Sequence, residues 1–431
     1  MKLTSVKNDI IRKDENMKLL LISIVLCTTG FMFFLKYLNY TRRNAPVPKN
    51  VSDVYDEETY QKQMAYKMDN LKISIISGLV GLCLTLAYLI FNFHHVIYTF
   101  ADTENIYYMC FAIFGVLYII SFVLDIVFDY YDTFVIEERH GFNKTTKKTF
   151  IVDKIKGFLI NVILQFGLLS LFLLLYTKLE SWVFIAFYLV LVVVTLFLTV
   201  FSHLLSKIFN KFTPLAEGEL KTMIEQFAAK TGYSIKKVFV MDGSKRSKHL
   251  NAYATGMGKT KTIVLYDTLV EKMNNNEIVA VLAHEIAHAK KRHVLCLYLM
   301  NLVLFAMVMG ISYFIINEPA FSVAFGFEGL NIAFSIYVLG ILASPLFIIL
   351  RVPISKISRT FEYSADKFAA ENLDAVSMVN ALKKLSRESY VNLTPHPFVV
   401  TVQHSHPPIH QRIEALGSNF EPLPFPEKIE N

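Results

Sequence analysis

Residues 282–316 read LAHEIAHAKKRHVLCLYLMNLVLFAMVMGISYFII. The stretch opens with Leu282-Ala283-His284-Glu285-Ile286-Ala287-His288, two histidines four residues apart with a glutamate beside the first. From Val294 to Ile316 it then runs without a charged residue. About 20 mostly apolar residues cross roughly 30 Å of hydrocarbon as a helix. A segment bearing polar chemistry therefore passes directly into a membrane span, and that junction decides the fold class.

Outward from the junction, six more stretches qualify as spans, at 19–38, 73–93, 106–128, 157–176, 182–205 and 332–352, making seven with 294–316. Of the 431 residues 54% are hydrophobic and 14% aromatic, while 18% are charged, against roughly 25% in an ordinary soluble domain. A compact water-soluble enzyme, a disordered chain and a small disulfide scaffold are excluded. The first span outruns a signal-peptide core and no small-x-small cleavage site follows it, so it reads as retained. The expected fold is mainly α: a polytopic membrane protein of seven transmembrane helices, with a polar part outside the membrane that carries the histidine pair and holds a small β-sheet.

Seven crossings put the termini on opposite sides. The connections at 39–72, 129–156, 206–293 and from 353 onward are long and rich in Lys and Arg; those at 94–105, 177–181 and 317–331 are short and hold only Lys178. Positive charge marks the cytosolic side, which assigns the long set and the C-terminus to the cytosol, although Lys2, Lys7, Arg12, Lys13 and Lys18 pull the other way. The glycosylation sequons at Asn39, Asn50, Asn143 and Asn392 then face the cytosol and are expected to be unused. Cys27, Cys83, Cys110 and Cys296 all lie in spans and read as buried packing residues, not disulfides. The net charge of +7 follows from the same bias and does not point to nucleic acid; Lys245, Arg246 and Lys248 read as a solvated loop.

The chain divides into a membrane region at 1–205, a cytosolic loop at 206–293 carrying the histidine pair, spans six and seven at 294–352, and a cytosolic part at 353–431. Within the loop, helical spacing covers 217–230, with Leu220, Met223, Ile224 and Phe227 on one face. Short strands are predicted at 237–241, 251–256 and 262–266, separated by turns at Asp242-Gly243 and 256–259. A second helix begins after 274–276 and runs through Ala289. Two helices follow span seven, at 356–372 and 375–388; beyond them the chain reads as irregular, with Pro422, Pro424 and Pro426 in a loose tail.

His284 and His288 sit about 40° apart around a helix axis and so point the same way. Two imidazoles on one face can hold Zn²⁺, with Glu285 flanking the metal as the base that deprotonates water. A catalytic zinc takes three protein ligands. Glu362, in Arg359-Thr-Phe-Glu362-Tyr-Ser-Ala-Asp366, is the expected third: two spans separate it from His288, so it returns to the same membrane face. Asp366, one turn later, is placed to fix the tautomer of His284. Asn251, Ala252 and Tyr253 precede the motif helix and suit an edge strand onto which an extended peptide could add. His406, in Ser405-His406-Pro407-Pro408, is placed to donate to an oxyanion.

At these residues the chain resembles the type I CAAX prenyl proteases, integral-membrane zinc metalloproteases also called farnesylated-protein-converting enzymes. The matching motifs are Ile136-Glu-Glu-Arg-His-Gly-Phe-Asn143, Asn251-Ala-Tyr-Ala-Thr-Gly, His284-Glu-Ile-Ala-His288, Ser358-Arg-Thr-Phe-Glu-Tyr-Ser-Ala-Asp366 and Ser405-His-Pro-Pro408 with Arg412. They extend from about residue 50 to 416; the first 45 residues match nothing, and His410 stands where a more apolar residue is expected. The resemblance implies one Zn²⁺ per chain and seven helices around a water-filled chamber. It further implies removal of the last three residues of prenylated CAAX proteins in the endoplasmic reticulum membrane, with the inner nuclear membrane added in animals. Arg412 is expected to steady His406. A chamber predicts polar groups within spans, and Asp125, Asn161, Gln165 and Asn301 are the candidates. Partners are then prenylated substrates and the bilayer, without nucleic acid, as a monomer. The rivals are a quality-control zinc protease of the membrane and a transporter or scaffold whose histidine motif is accidental.

Overall fold

The computed structural model describes residues 2–255 and 262–417. The turn expected at 256–259, Gly256 of the strand motif and the prolines at 422, 424 and 426 lie outside the described residues. Apolar stretches become helices because hydrocarbon offers no water to satisfy the backbone, which must pair within the segment. In chain order come α1 (Lys2–Thr41), α2 (Glu57–Ile90), α3 (Phe93–Ala101) and α4 (Ile106–Tyr131). A π-helical turn at Asp132–Glu137 then leads to α5 (Lys147–Leu179), α6 (Val183–Val200) and α7 (Ser202–Phe209).

Six helical stretches among the described residues are long and apolar enough to cross a membrane, where the sequence predicts seven. The difference lies in Lys147–Val200, which holds both the fourth and fifth expected spans. Glu180, at φ +48°, interrupts it, and α5 and α6 pack on each other around the short turn Glu180–Trp182. α6 ends at Val200 and not at 205. Burial of the membrane-length stretches is low in most of them, none of the most apolar window of His293–Ile316 and 6% of that in Ile106–Glu137, and highest at 39% in Ile332–Asn372. A filled bundle would bury its inward faces. Asp125, Asn161, Gln165 and Asn301 are all exposed, as are Cys27, Cys83 and Cys296; of the four cysteines only Cys110 is buried, against the expectation for all of them.

The polar connections gather at two ends, as their composition predicts. At one end Lys18 Nζ donates to Asn92 Oδ1 at 3.4 Å, Tyr176 Oη to Asn317 Oδ1 at 3.2 Å, and His94 meets the Phe325 carbonyl. At the other, the His396 amide donates to Asn39, Asn50 to the His410 carbonyl, Tyr66 to Glu137, and Lys67 to Asn392. The side-chain amides of all four sequons, Asn143 among them, are engaged in such bonds. Arg246 is not solvated: its guanidinium forks onto Asp153 and also reaches Asn210 and the Phe209 carbonyl.

The second end carries a four-stranded sheet in the order β1-β2-β4-β3. β1 (Phe212–Pro214) precedes α8 (Glu219–Thr231); β2 (Lys237–Met241), β3 (Ala252–Thr255) and β4 (Thr262–Tyr266) follow. β2 and β4 run parallel, and β3 lies antiparallel to β4 alone, so it is an edge. Then come α9 (Asp267–Lys272), α10 (Asn275–Lys290), α11 (His293–Ile316), α12 (Pro319–Ala324), α13 (Ile332–Asn372) and α14 (Ala375–Glu388). The chain beyond α14 is not irregular, as expected, but forms α15 (Pro397–Gln403) and α16 (Ile409–Leu416). The helix expected at 356–372 is not separate either: α13 continues unbroken from the last span through Pro345 and Pro353. One continuous helix therefore joins the span to Glu362.

Candidate metal centre

α10 starts at a reciprocal cap, in which the Glu277 amide donates to Asn274 Oδ1 at 2.9 Å and the Asn274 amide to Glu277 Oε2 at 3.0 Å. Every residue from Glu277 to His284 is buried, with Ile286 and Ala287. The helix sits in the core of this end, against α8, α13, α14 and β3. Packing on all sides makes it a fixed platform for His284 and His288, whose Nε2 atoms lie 3.1 Å apart.

α13 brings Glu362 to the same point. Its Oε2 lies 3.4 Å from His284 Nε2 and its Oε1 3.4 Å from His288 Nε2. A tetrahedral zinc with bonds of about 2.0–2.1 Å has ligand–ligand edges of about 3.3–3.4 Å. The two distances to Glu362, one to each carboxylate oxygen, match that figure, and the His284–His288 separation of 3.1 Å falls slightly short of it. Glu362 Oε2 is moreover buried and makes no close hydrogen bond among the described residues, being met only by the longer ionic contacts to His284 Nε2 at 3.4 Å and Arg412 Nη1 at 3.5 Å. Among the described residues this is the one group of three or more metal-capable side chains. The residues present fit a metal.

Asp366, one turn along α13, accepts from His284 Nδ1 at 2.8 Å. Arg412 on α16 grips that carboxylate from behind with Nε at 2.7 Å and Nη2 at 2.6 Å, and its Nη1 lies 3.5 Å from Glu362. The guanidinium is thus spent on the carboxylates of α13, not on His406 as expected. His406 Nε2 stands 3.4 Å from Glu362 Oε1, and its Nδ1 is 3.0 Å from Ser405 Oγ. Its side chain is open to the space beside the centre, 64% exposed.

Electrostatics separate the two histidines. Burial, aided by the neighbouring His284, pushes His288 down to about 4, so it is neutral at pH 7 with a free lone pair. Burial acts the same way on His284, but the hydrogen bonds to Asp366 and Glu362 outweigh it and hold the imidazolium up to about 9 in the metal-free chain. A bound cation would displace that proton. Burial pushes the Glu285 carboxyl up, and Glu362 adds to the effect; His284, a hydrogen bond from the Ala254 backbone and Arg412 oppose it. A carboxyl raised in this way suits a group that must both take and return a proton.

The Ala254 contact places the base beside edge strand β3. Ala252 is buried and Tyr253 half-buried in that strand, while Asn251 falls just before it, exposed, its side chain accepting from the Ala252 amide. Two residues were missed by sequence reasoning. Arg359, one turn before Glu362, donates to the carbonyls of Val400 at 2.9 Å and His404 at 2.7 Å, and so ties the His406 loop to α13. His293 touches His288; its signal was its position five residues after the motif. The Ile136–Asn143 motif supplies none of the three residues of the centre. It joins α2 to the loop before β3 through Tyr66–Glu137 at 2.5 Å, His140–Asp69 at 3.1 Å and the Phe142 ring stacked on His249.

Two family models cover nearly all of this architecture: the CAAX prenyl protease N-terminal region with five membrane helices, over residues 36–211, and peptidase family M48, over residues 214–419. The CAAX prenyl protease 1 homolog of Arabidopsis thaliana is 32% identical over 406 residues, 90% of this chain and 96% of that protein. The chain belongs to the CAAX prenyl protease family. CAAX prenyl protease 1 of Saccharomyces cerevisiae is 30% identical across 93% of this chain and 95% of its own length. The crystal structure of S. mikatae Ste24p superposes with a TM-score of 0.87 at 30% identity, covering 93% of this chain and 99% of that one. The protein is thus a membrane metalloprotease, and an accidental histidine motif in a transporter or scaffold is ruled out.

Proposed function

We propose that this metalloprotease removes the C-terminal tripeptide from prenylated, in the first place farnesylated, CAAX proteins. The observation that carries the reading is the convergence of His284, His288 and Glu362, whose ligand atoms all lie within 4.8 Å of one another, beside an open sheet edge. Curated relatives bear the name CAAX prenyl protease 1, which supports the substrate class.

One Zn²⁺ per chain, held by those three residues, would supply Lewis-acid polarisation of the scissile carbonyl and acidify water. The substrate tail pairs with β3 along Asn251, Ala252 and Tyr253, so that backbone hydrogen bonds fix its register and bring a peptide bond opposite Glu285. Glu285 takes the proton from the attacking water and returns it to the leaving amine. His406 donates from Nε2 to the oxyanion that develops on the carbonyl. Asp366 holds the His284 ring with its Nδ1 proton inward, and Arg412 keeps Asp366 ionised and in place.

The long, basic connections of the sheet end support a cytosolic position for the centre. With α5 and α6 as separate crossings the chain spans seven times, around a chamber open to the exposed polar groups at 125, 161, 165 and 301. We place it in the endoplasmic reticulum membrane, with the inner nuclear membrane as a further site in animals, and as a monomer. The division at 205/206, 293/294 and 352/353 follows the same reading.

The test compares a farnesylated CAAX peptide with its unprenylated twin, using purified protein with and without a chelator. Release of the tripeptide is expected from the farnesylated peptide alone and is expected to stop with chelator. Equal cleavage of both peptides would replace this reading with the quality-control protease.

A further inference from the structure

One buried histidine beside the centre takes no part in the chemistry above. We propose that His293 is a positioning residue, which holds the His288 ring in the tautomer and orientation that present Nε2 to the metal. The inference rests on the metal-centre reading and extends it to a residue outside the ligand set.

His288 Nε2 faces His284 and Glu362, while its Nδ1 lies 3.2 Å from His293 Nδ1. A neutral imidazole has one N–H and one lone pair. If Nε2 gives its lone pair to a cation, the proton must sit on Nδ1, where it needs an acceptor. His293 Nδ1 is that acceptor, which in turn places the proton of His293 on its own Nε2. The contact is made on the far side of the His288 ring from the ligand atoms, so His293 is an orienter and not a fourth ligand.

The orienter is itself held. His293 is buried and stacks on Phe361, with ring centroids 4.1 Å apart and planes within 3°. Phe361 adjoins Glu362, so α13 delivers both the third ligand and the clamp on the orienter. The approach depends on Arg292, whose left-handed φ of +59° ends α10 and turns the first residue of α11 back toward His288. The two ligand histidines are thus braced differently: His284 by a carboxylate backed by a guanidinium, His288 by a neutral ring backed by an aromatic stack.

The experiment follows zinc release from the purified full chain into excess chelator. H293F keeps the stack but removes the acceptor nitrogen, and is expected to release zinc about 10–100-fold faster than the unaltered protein. H293N returns a carbonyl acceptor at the position of Nδ1 and is expected to stay within about threefold of the unaltered rate, a rescue that a purely structural role would not produce. Should H293F not fold, His293→Met carries the same comparison. Release from H293F (or the Met variant) at the unaltered rate overturns the proposal, as does release from H293N as fast as from the variant lacking the acceptor. Unaltered protein without stoichiometric zinc would instead sink the metal-centre reading on which the proposal rests, so the two failures are distinguishable.

Discussion

The two ends of the helical bundle each bury a histidine, in opposite ways. At the sheet end His284 is satisfied on both ring nitrogens, by Asp366 at 2.8 Å and by the Glu362–His288 group, inside a network of charges. At the other end His94 is fully buried among Tyr88, Phe325, Phe327 and Phe334. Its Nε2 lies 3.3 Å from the Phe325 carbonyl, and its Nδ1 has no hydrogen-bond partner among the described residues. Carboxylates hold His284 up to about 9, whereas burial pushes His94 down to about 4. Burial alone does not mark a functional histidine; the company of paired carboxylates does.

The contrast can be broken most strongly at the base. Glu285→Gln keeps the shape of the side chain but not its proton chemistry, so peptidase activity is expected to fall by about 10²–10⁴-fold with metal content unchanged. Turnover near the unaltered rate, measured by tripeptide release, would remove Glu285 from the mechanism.

Asp366→Ala tests whether the network serves the centre or only the packing. It removes the acceptor of His284 and leaves Arg412 buried without its main partner. Metal affinity or activity is expected to drop about 10–100-fold, read by chelator competition; affinity equal to the unaltered protein would reduce Asp366 to a packing role.

The smallest effect belongs to His94. Its folded pKa lies below the ordinary value of 6.5, so at pH between about 4 and 6.5 the unfolded chain binds a proton that the folded one refuses. Its contribution is complete above that window and is lost as pH falls through it, on the order of 3 kcal/mol in all. In His94→Leu the fall in Tm between pH 7.5 and 5 should be smaller than in the unaltered protein, and an identical fall would show that other groups carry it.

Legibility in the sequence followed the range of the interaction concerned. The strands at 237–241 and 262–266 and the helix entering at Asn274 match the structure because alternation and capping are local. The helix at 356–372 reads as separate from the span ending at 352, with Pro353 between them. In the structure the helix passes through it, the missing donor being a local loss that packing on α10, α11 and α15 offsets. Arg246 read as solvated because Asp153, its partner, lies 93 residues away.

What the sequence determined by itself was the membrane architecture and the kinds of atoms in the centre. A 20-residue apolar run has few alternatives to a helix in lipid, and two histidines at helical spacing must share a face. What only the tertiary structure decided was which second partner each group takes: Arg412 on Asp366, His293 on His288, Arg359 on the loop of His406. Those pairings join elements far apart in the chain or, for His288 and His293, span a bend whose angle no local pattern encodes. Their geometry is set by how α10, α11, α13 and α16 pack, and packing is a property of the whole core.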